Sequence, residues 1–69
     1  MTRFKKIIVE TDNGDIEITE NELYKIHPRL FWLKNADIID AEVLINKDSF
    51  LTWKNGTWIN GSWKNGRWK

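Results

Sequence analysis

Four tryptophans stand at intervals of five in the last seventeen residues: Trp53, Trp58, Trp63 and Trp68. The phrase between them is Trp-x-Asn-Gly-x, written as Trp53-Lys54-Asn55-Gly56-Thr57, Trp58-Ile59-Asn60-Gly61-Ser62 and Trp63-Lys64-Asn65-Gly66-Arg67, and Trp68-Lys69 follows. An enclosed aromatic side chain of this kind buries roughly 150–250 Å². Four of them in strict register oblige the backbone to gather them on one surface. The need is acute because 69 residues bury only about 60% of their unfolded surface. A fold this small usually requires a staple. The chain has no cysteine, which excludes disulfides, thiolate metal sites and thiol catalysis. The indoles are the natural substitute.

Two geometries satisfy the spacing. In the favoured one, each Asn-Gly is a two-residue hairpin turn whose residues accept positive φ. The tail is then a meander of very short strands with Trp53 opposite Trp58, Trp58 opposite Trp63, and Trp63 opposite Trp68. All four indoles form a ladder with rungs about 4.7–4.9 Å apart. Lys54, Thr57, Ile59, Ser62, Lys64, Arg67 and Lys69 lie on the other face. Such short strands require the Trp face to lie on the N-terminal half.

The second geometry comes from running the five-residue frame backwards. Trp positions continue through Asp48, Val43 and Ile38, and two residues before each stand Ala36, Ala41, Asn46, Leu51, Gly56, Gly61 and Gly66. A small residue followed two places on by a large apolar one therefore repeats from Ala36-Asp37-Ile38 and Ala41-Glu42-Val43 onwards. Over residues 36–69 this frame resembles the pentapeptide-repeat proteins. That resemblance implies a four-sided right-handed β-helix with the large residue inside, Gly replacing Ala where Trp replaces the usual Leu. Asn46 to Phe50 departs from the family pattern, placing Asp48 at an inward position. The acidic, DNA-mimicking surface of some family members does not transfer to a basic tail. A fainter resemblance is to MORN-type hairpin repeats. The frame's continuity with the core-like Val43 and Ile38 places the indoles mainly inside, with Trp53, Trp58, Trp63, Trp68, Gly56, Gly61 and Gly66 as the structural repeat.

Upstream, Ile7, Val9 and Thr11 alternate on one face of a strand. Asn13-Gly14 is a hairpin signal, and a turn there pairs Thr11 with Ile16, Glu10 with Glu17 and Val9 with Ile18. Thr19-Glu20-Asn21-Glu22 is a capping box with acids in the first turn. Leu23 and Ile26 are expected to share the buried face of the short helix that Pro28 ends near His27. Arg29 to Lys34 is an apolar knot, read as a packed connection or a short strand. Ile38–Ile45 reads as a strand, Asn46–Ser49 as a turn, and Phe50–Lys54 as a further strand. The fold class is α+β, mainly β: an N-terminal hairpin, one short helix and a C-terminal stack of very short strands. Residues 1–69 form a single domain, with the hairpin and helix cap in 1–35 and the pentad array in 36–69.

Charge divides the chain. Residues 1–50 carry seven basic and ten acidic residues, a net of −3, and residues 51–69 carry Lys54, Lys64, Arg67 and Lys69 with no acid, a net of +4. Such asymmetry points to an interaction face or to head-to-tail self-association. The N-terminal segment lacks a long apolar stretch, so neither signal peptide nor membrane span is expected, and the chain is read as soluble and cytoplasmic. The sole histidine, His27, has no nucleophile visible beside it in sequence. Asp37, Asp40 and Glu42 read as a solvated strand face, although Asp40 and Glu42 are expected on one side. Asp12-Asn13-Gly14-Asp15 lacks the further ligands of a calcium loop. Phosphate-loop, zinc and nucleophile motifs are missing. No cofactor or metal is expected, and the chain is read as non-enzymatic. What remains is binding: a small module that contacts a protein partner or a second copy through Lys54, Lys64, Arg67, Lys69, Trp63 and Trp68, as a phage-type inhibitor of a host factor would. The alternative is single-stranded nucleic acid or carbohydrate on the same Trp- and Lys-rich array, since indoles among cations stack bases at roughly 1–3 kcal/mol each.

Overall fold

The computed structural model describes residues 2–64 and 66–68. Its elements are β1 (Phe4–Thr11), β2 (Gly14–Glu17), α1 (Glu20–Ile26), a 3-10 helix (Pro28–Asn35), β3 (Asp37–Ile45), β4 (Leu51–Asn60) and β5 (Arg67–Trp68). The strands make one mixed sheet in the order β2-β1-β3-β4-β5. The class is α+β, mainly β. β1 pairs parallel with β3, so α1 and the 3-10 helix form the crossover between them. Ile7, Val9, Leu23, Leu30, Leu33, Ile38, Val43, Ile45, Leu51 and Trp53 make the core.

The hairpin forms, two residues away from the expected register. Thr11 pairs with Gly14 and Val9 with Ile16, so Asp12-Asn13 is the turn. Only Gly14 takes a positive φ, +109°. Asn13 keeps a negative φ, and the glycine alone absorbs the left-handed twist, as in longer hairpin loops. Thr11 Oγ1 accepts from the Asn13 amide and donates to the Gly14 carbonyl, which favours this turn over Asn-Gly. A two-residue slip preserves the faces, so Val9 stays buried while Ile16, its direct partner, is exposed at the sheet edge.

The capping box at Thr19 is present in both directions, Glu22 amide to Thr19 hydroxyl and Thr19 amide to Glu22 carboxylate. Leu23 is buried as expected, but Ile26 is not. The residue four on from Leu23 is His27, and its ring takes the inward place, with Nδ1 2.7 Å from Ser49 Oγ. Arg3 fastens this layer to the sheet. Its guanidinium donates to the carbonyls of Leu33 (2.7 Å) and Ala36 (2.6 Å) at the end of the 3-10 helix, and it pairs with Glu20 of α1 at 3.2 Å. Glu20 also accepts from the Tyr24 hydroxyl at 2.7 Å, and burial with that carboxylate contact pushes the Tyr24 pKa well up.

The strongest departure from expectation lies in β4. Residues 51–60 form one continuous strand, and Asn55-Gly56 sits inside it rather than at a hairpin turn. Trp53 pairs with Val43, and Trp58 with Ile38. The expected opposition of Trp53 and Trp58 is therefore replaced by two pairings with β3, five residues apart on each strand. Between them both strands break register together: Asp40 turns to φ +50° and Gly56 to φ +113°. On a straight strand residues five apart lie ~16 Å from each other and point to opposite faces. Here the Trp53 and Trp58 rings are 5.7 Å apart, so the strand pair turns a corner.

Candidate functional site

The repeat's wording has a local cause at each position. At the corner the Gly56 amide donates to the side-chain oxygen of Asn55 at 2.8 Å, and Gly61 does the same with Asn60. Asparagine thus satisfies an amide that the bend takes out of the ladder. The glycine is required by proximity: a Cβ on Gly56 would lie 2.6 Å from Ala41 Cα and 2.9 Å from the Asp40 carbonyl oxygen. A Cβ on Gly61 would lie 2.9 Å from Ala36, and one on Gly66 would overlap the Leu51 carbonyl. The small positions of the five-residue frame, read from sequence as Ala36, Ala41, Gly56 and Gly61, therefore meet in pairs across the strands.

The large positions meet inside. Trp53, Trp58 and Trp63 form a closed triangle with ring centroids 5.7, 6.1 and 5.2 Å apart. Trp68 then lies flat on Trp53, 5.0 Å away with only 9° between planes. In a linear ladder the first and last of four rungs would be ~14 Å apart. Instead, the tail comes back to its start. β5 pairs parallel with β4, Thr52 with Arg67 and Trp53 with Trp68. The return takes fifteen residues, three units, where a four-sided coil would use four. Trp32 of the 3-10 helix closes one side, 6.3 Å from Trp58 and 5.5 Å from Trp63. Sequence reading placed Trp32 only in an apolar knot; its being the fifth tryptophan was the available signal.

Burial differs sharply between the two ends of the array. Trp53 is 1% exposed, Trp58 and Trp63 are half-buried, and Trp68 is 54% exposed. The indole N–H groups of Trp32 and Trp53 are buried without a hydrogen-bond acceptor. That cost, about 1–3 kcal/mol for a polar group left unpaired, is offset by aromatic contacts worth about 0.5–1.5 kcal/mol each beyond area. Trp58, Trp63 and Trp68 line a groove of about 270 Å³ that opens outward.

The expected basic residues are not gathered round this groove. Arg67 is exposed on β5 and, by strand alternation from Trp68, points to the outer face of the sheet beside Thr52. Lys54 is exposed on that same outer face of β4, where it borders a second recess with Lys6, Ile8, Asp15 and Glu42. Lys64 is exposed on the returning segment. Lys69 lies outside the described residues.

Elsewhere the chemistry is sparse. Asp40 accepts a hydrogen bond from Thr2, and Glu42 pairs with Lys5 at 3.7 Å. The corner at Asp40 separates the two acids expected to project together. Among the described residues no group of three His, Cys, Asp or Glu could hold a metal ion. No helix among them is long and apolar enough to cross a membrane. His27 does have a hydroxyl in reach, Ser49, whose φ is +64°. A base and hydroxyl alone do not make a nucleophilic site: a third group must orient the base. Burial holds the His27 pKa below its ordinary value. The pair locks the end of α1 to the β3–β4 turn. No family model matches this chain, and neither does any curated protein or solved structure.

Proposed function

We propose that this chain is a non-catalytic interaction module whose contact surface is the open side of the pentad winding: Trp58, Trp63 and Trp68, with Lys64 on the adjoining segment. One observation carries the reading. The array encloses Trp53 completely but leaves the Trp68 ring 54% exposed at the mouth of an apolar groove. A winding built on stacked large residues is stable where something covers its last layer. Here the last layer is open, and exposed indoles are among the residues that dominate protein contacts. A module of this kind acts by covering a surface of its partner. The partner is a protein or another copy of this chain.

Retention on the immobilised chain tests the proposal. Wild type should retain a protein partner or added free chain, Trp68→Ser with Lys64→Glu should lose it, and Asn13→Ala at the distant hairpin tip should retain it. Equal retention by the groove variant, or none by wild type, sinks the reading. Nucleic acid is favoured by one feature, the exposed Trp68 ring on a strand that also carries Arg67. Trp58 and Trp63 meet edge to face at 5.2 Å, which leaves no gap between them for a base. Quenching of tryptophan emission by a single-stranded oligonucleotide, fading as salt rises, would replace the protein reading with that one.

A further inference from the structure

The two edges of the sheet carry opposite charge in the same alternating pattern. β2 is one edge and β5 the other. β2 reads Asp15-Ile16-Glu17, acid–apolar–acid, and all of it is exposed. β5 reads Arg67-Trp68, and the sequence continues with Lys69. The faces agree as well. Ile16 is the direct partner of buried Val9, and Trp68 of buried Trp53, so both lie on the core side of the sheet, 44% and 54% exposed. Asp15 and Arg67 lie on the outer side. The strand directions also agree. β2 is antiparallel to β1, β1 parallel to β3, β3 antiparallel to β4, and β4 parallel to β5, so β2 and β5 run the same way.

Free edges pair readily with other chains, and proteins ordinarily blunt them with charged side chains, lysine above all. Here the two edges carry charges of opposite sign, so each repels its own kind and attracts the other. The β2 edge also has backbone groups to offer. Ile18 donates to the Ile7 carbonyl, so alternation of the antiparallel ladder turns the Ile16 amide towards β1 and leaves the amides and carbonyls of Asp15 and Glu17 directed out of the sheet.

We infer that the partner is a second copy of this chain, joined head to tail: β5 of one molecule adds in parallel to β2 of the next, with Arg67 against Asp15 on the outer side and Trp68 against Ile16 on the inner side. This rests on the proposed interaction role of the tail and names its occupant. The contact is heterologous, because the two edges are different surfaces. Each molecule keeps one free edge, so growth continues beyond the dimer. The short edges and solvent-exposed charges make the association weak and salt-sensitive, since screening shortens from about 30 Å at 0.01 M salt to about 3 Å at 1 M.

Sedimentation equilibrium of the whole chain tests it. Wild type at low salt should show a mean mass that climbs past the dimer as concentration rises, and falls back as sodium chloride is added. Arg67→Glu alone and Asp15→Lys with Glu17→Lys should each remain monomeric at concentrations where wild type associates, with unchanged tryptophan emission reporting an intact fold. An equimolar mixture of the two variants should associate again, because it contains one unaltered basic edge and one unaltered acidic edge. A monomeric wild type, association that survives either variant, or a mixture that stays monomeric overturns the inference. Trp68-dependent retention of a foreign protein by a monomeric wild type would overturn head-to-tail assembly while leaving the interaction role standing.

Discussion

Gly56→Ala should damage this fold far more than Gly14→Ala, and the pair of variants isolates the cause. Both glycines have nearly the same φ, +113° and +109°. The conformational strain of placing an L side chain there, about 1–2 kcal/mol, is therefore common to both. They differ in space. A Cβ at Gly14 meets nothing within 4 Å, whereas one at Gly56 lies 2.6 Å from Ala41 Cα and 2.9 Å from the Asp40 carbonyl oxygen. Those are backbone atoms of a paired strand and cannot rotate away, so the two strands must separate at the corner. Overpacking of this kind adds about 1–3 kcal/mol. The expected losses are about 1–2 kcal/mol for Gly14→Ala and about 2–5 kcal/mol for Gly56→Ala. A chain of 69 residues has roughly 3–10 kcal/mol in all, and each kcal/mol moves the Tm of a domain this size by about 4–8 °C. Gly56→Ala should accordingly bring unfolding close to room temperature, while Gly14→Ala remains cooperatively folded. Thermal and urea denaturation followed by far-UV circular dichroism read the difference. Equal destabilisation by the two substitutions would refute the close approach of β4 to β3.

Two further outcomes follow from the same geometry. Trp53→Ala, which empties a site 1% exposed, should cost about 3–5 kcal/mol, whereas Trp68→Ala at 54% exposure should cost about 1 kcal/mol or less by urea denaturation; the reverse order would contradict the graded burial. His27 sets the pH response in the range where carboxylates stay ionised. Its folded pKa is lowered by burial, so its contribution is fully present above the unfolded value of about 6.5 and is lost as pH falls through the folded pKa. His27→Gln should flatten the fall in Tm between pH 7 and 5, and an unchanged slope would show that the buried ring is not its source.

Sequence revealed the period but not the path. The capping box at Thr19, the stop at Pro28 and the strand from Ile38 to Ile45 were legible because each depends on neighbouring residues alone. The five-residue frame was legible too, and its small positions, Ala36 against Gly61 and Ala41 against Gly56, do meet in space. The route of the backbone between them was not. Asn-Gly suits both a hairpin turn and a corner in a continuous strand, and only the tertiary pairing of Val43 with Trp53 and Ile38 with Trp58 selects the corner. The hairpin slipped by two residues because the Thr11 hydroxyl stabilises a competing turn one residue earlier than Asn13-Gly14. The site residues show the same division. Lys54, Lys64, Arg67, Trp63 and Trp68 were identifiable by type, but sequence spacing could not tell that Trp53 is enclosed and Trp68 open. Nor could it place Ile16 and Trp68 at opposite edges of one sheet, since their relation is set by a strand order that brings β1 between β2 and β3.

The central claim is that one winding of the chain encloses Trp53 and leaves Trp68 at its mouth. Hydrogen exchange of the indole N–H groups, resolved by 15N NMR, tests it most directly. The N–H groups of Trp32 and Trp53, buried with no hydrogen-bond acceptor, should exchange only on opening of the fold, and that of Trp68 should exchange near the rate of free tryptophan. Fast exchange at Trp53, or equal exchange at Trp53, Trp58, Trp63 and Trp68, would contradict the winding.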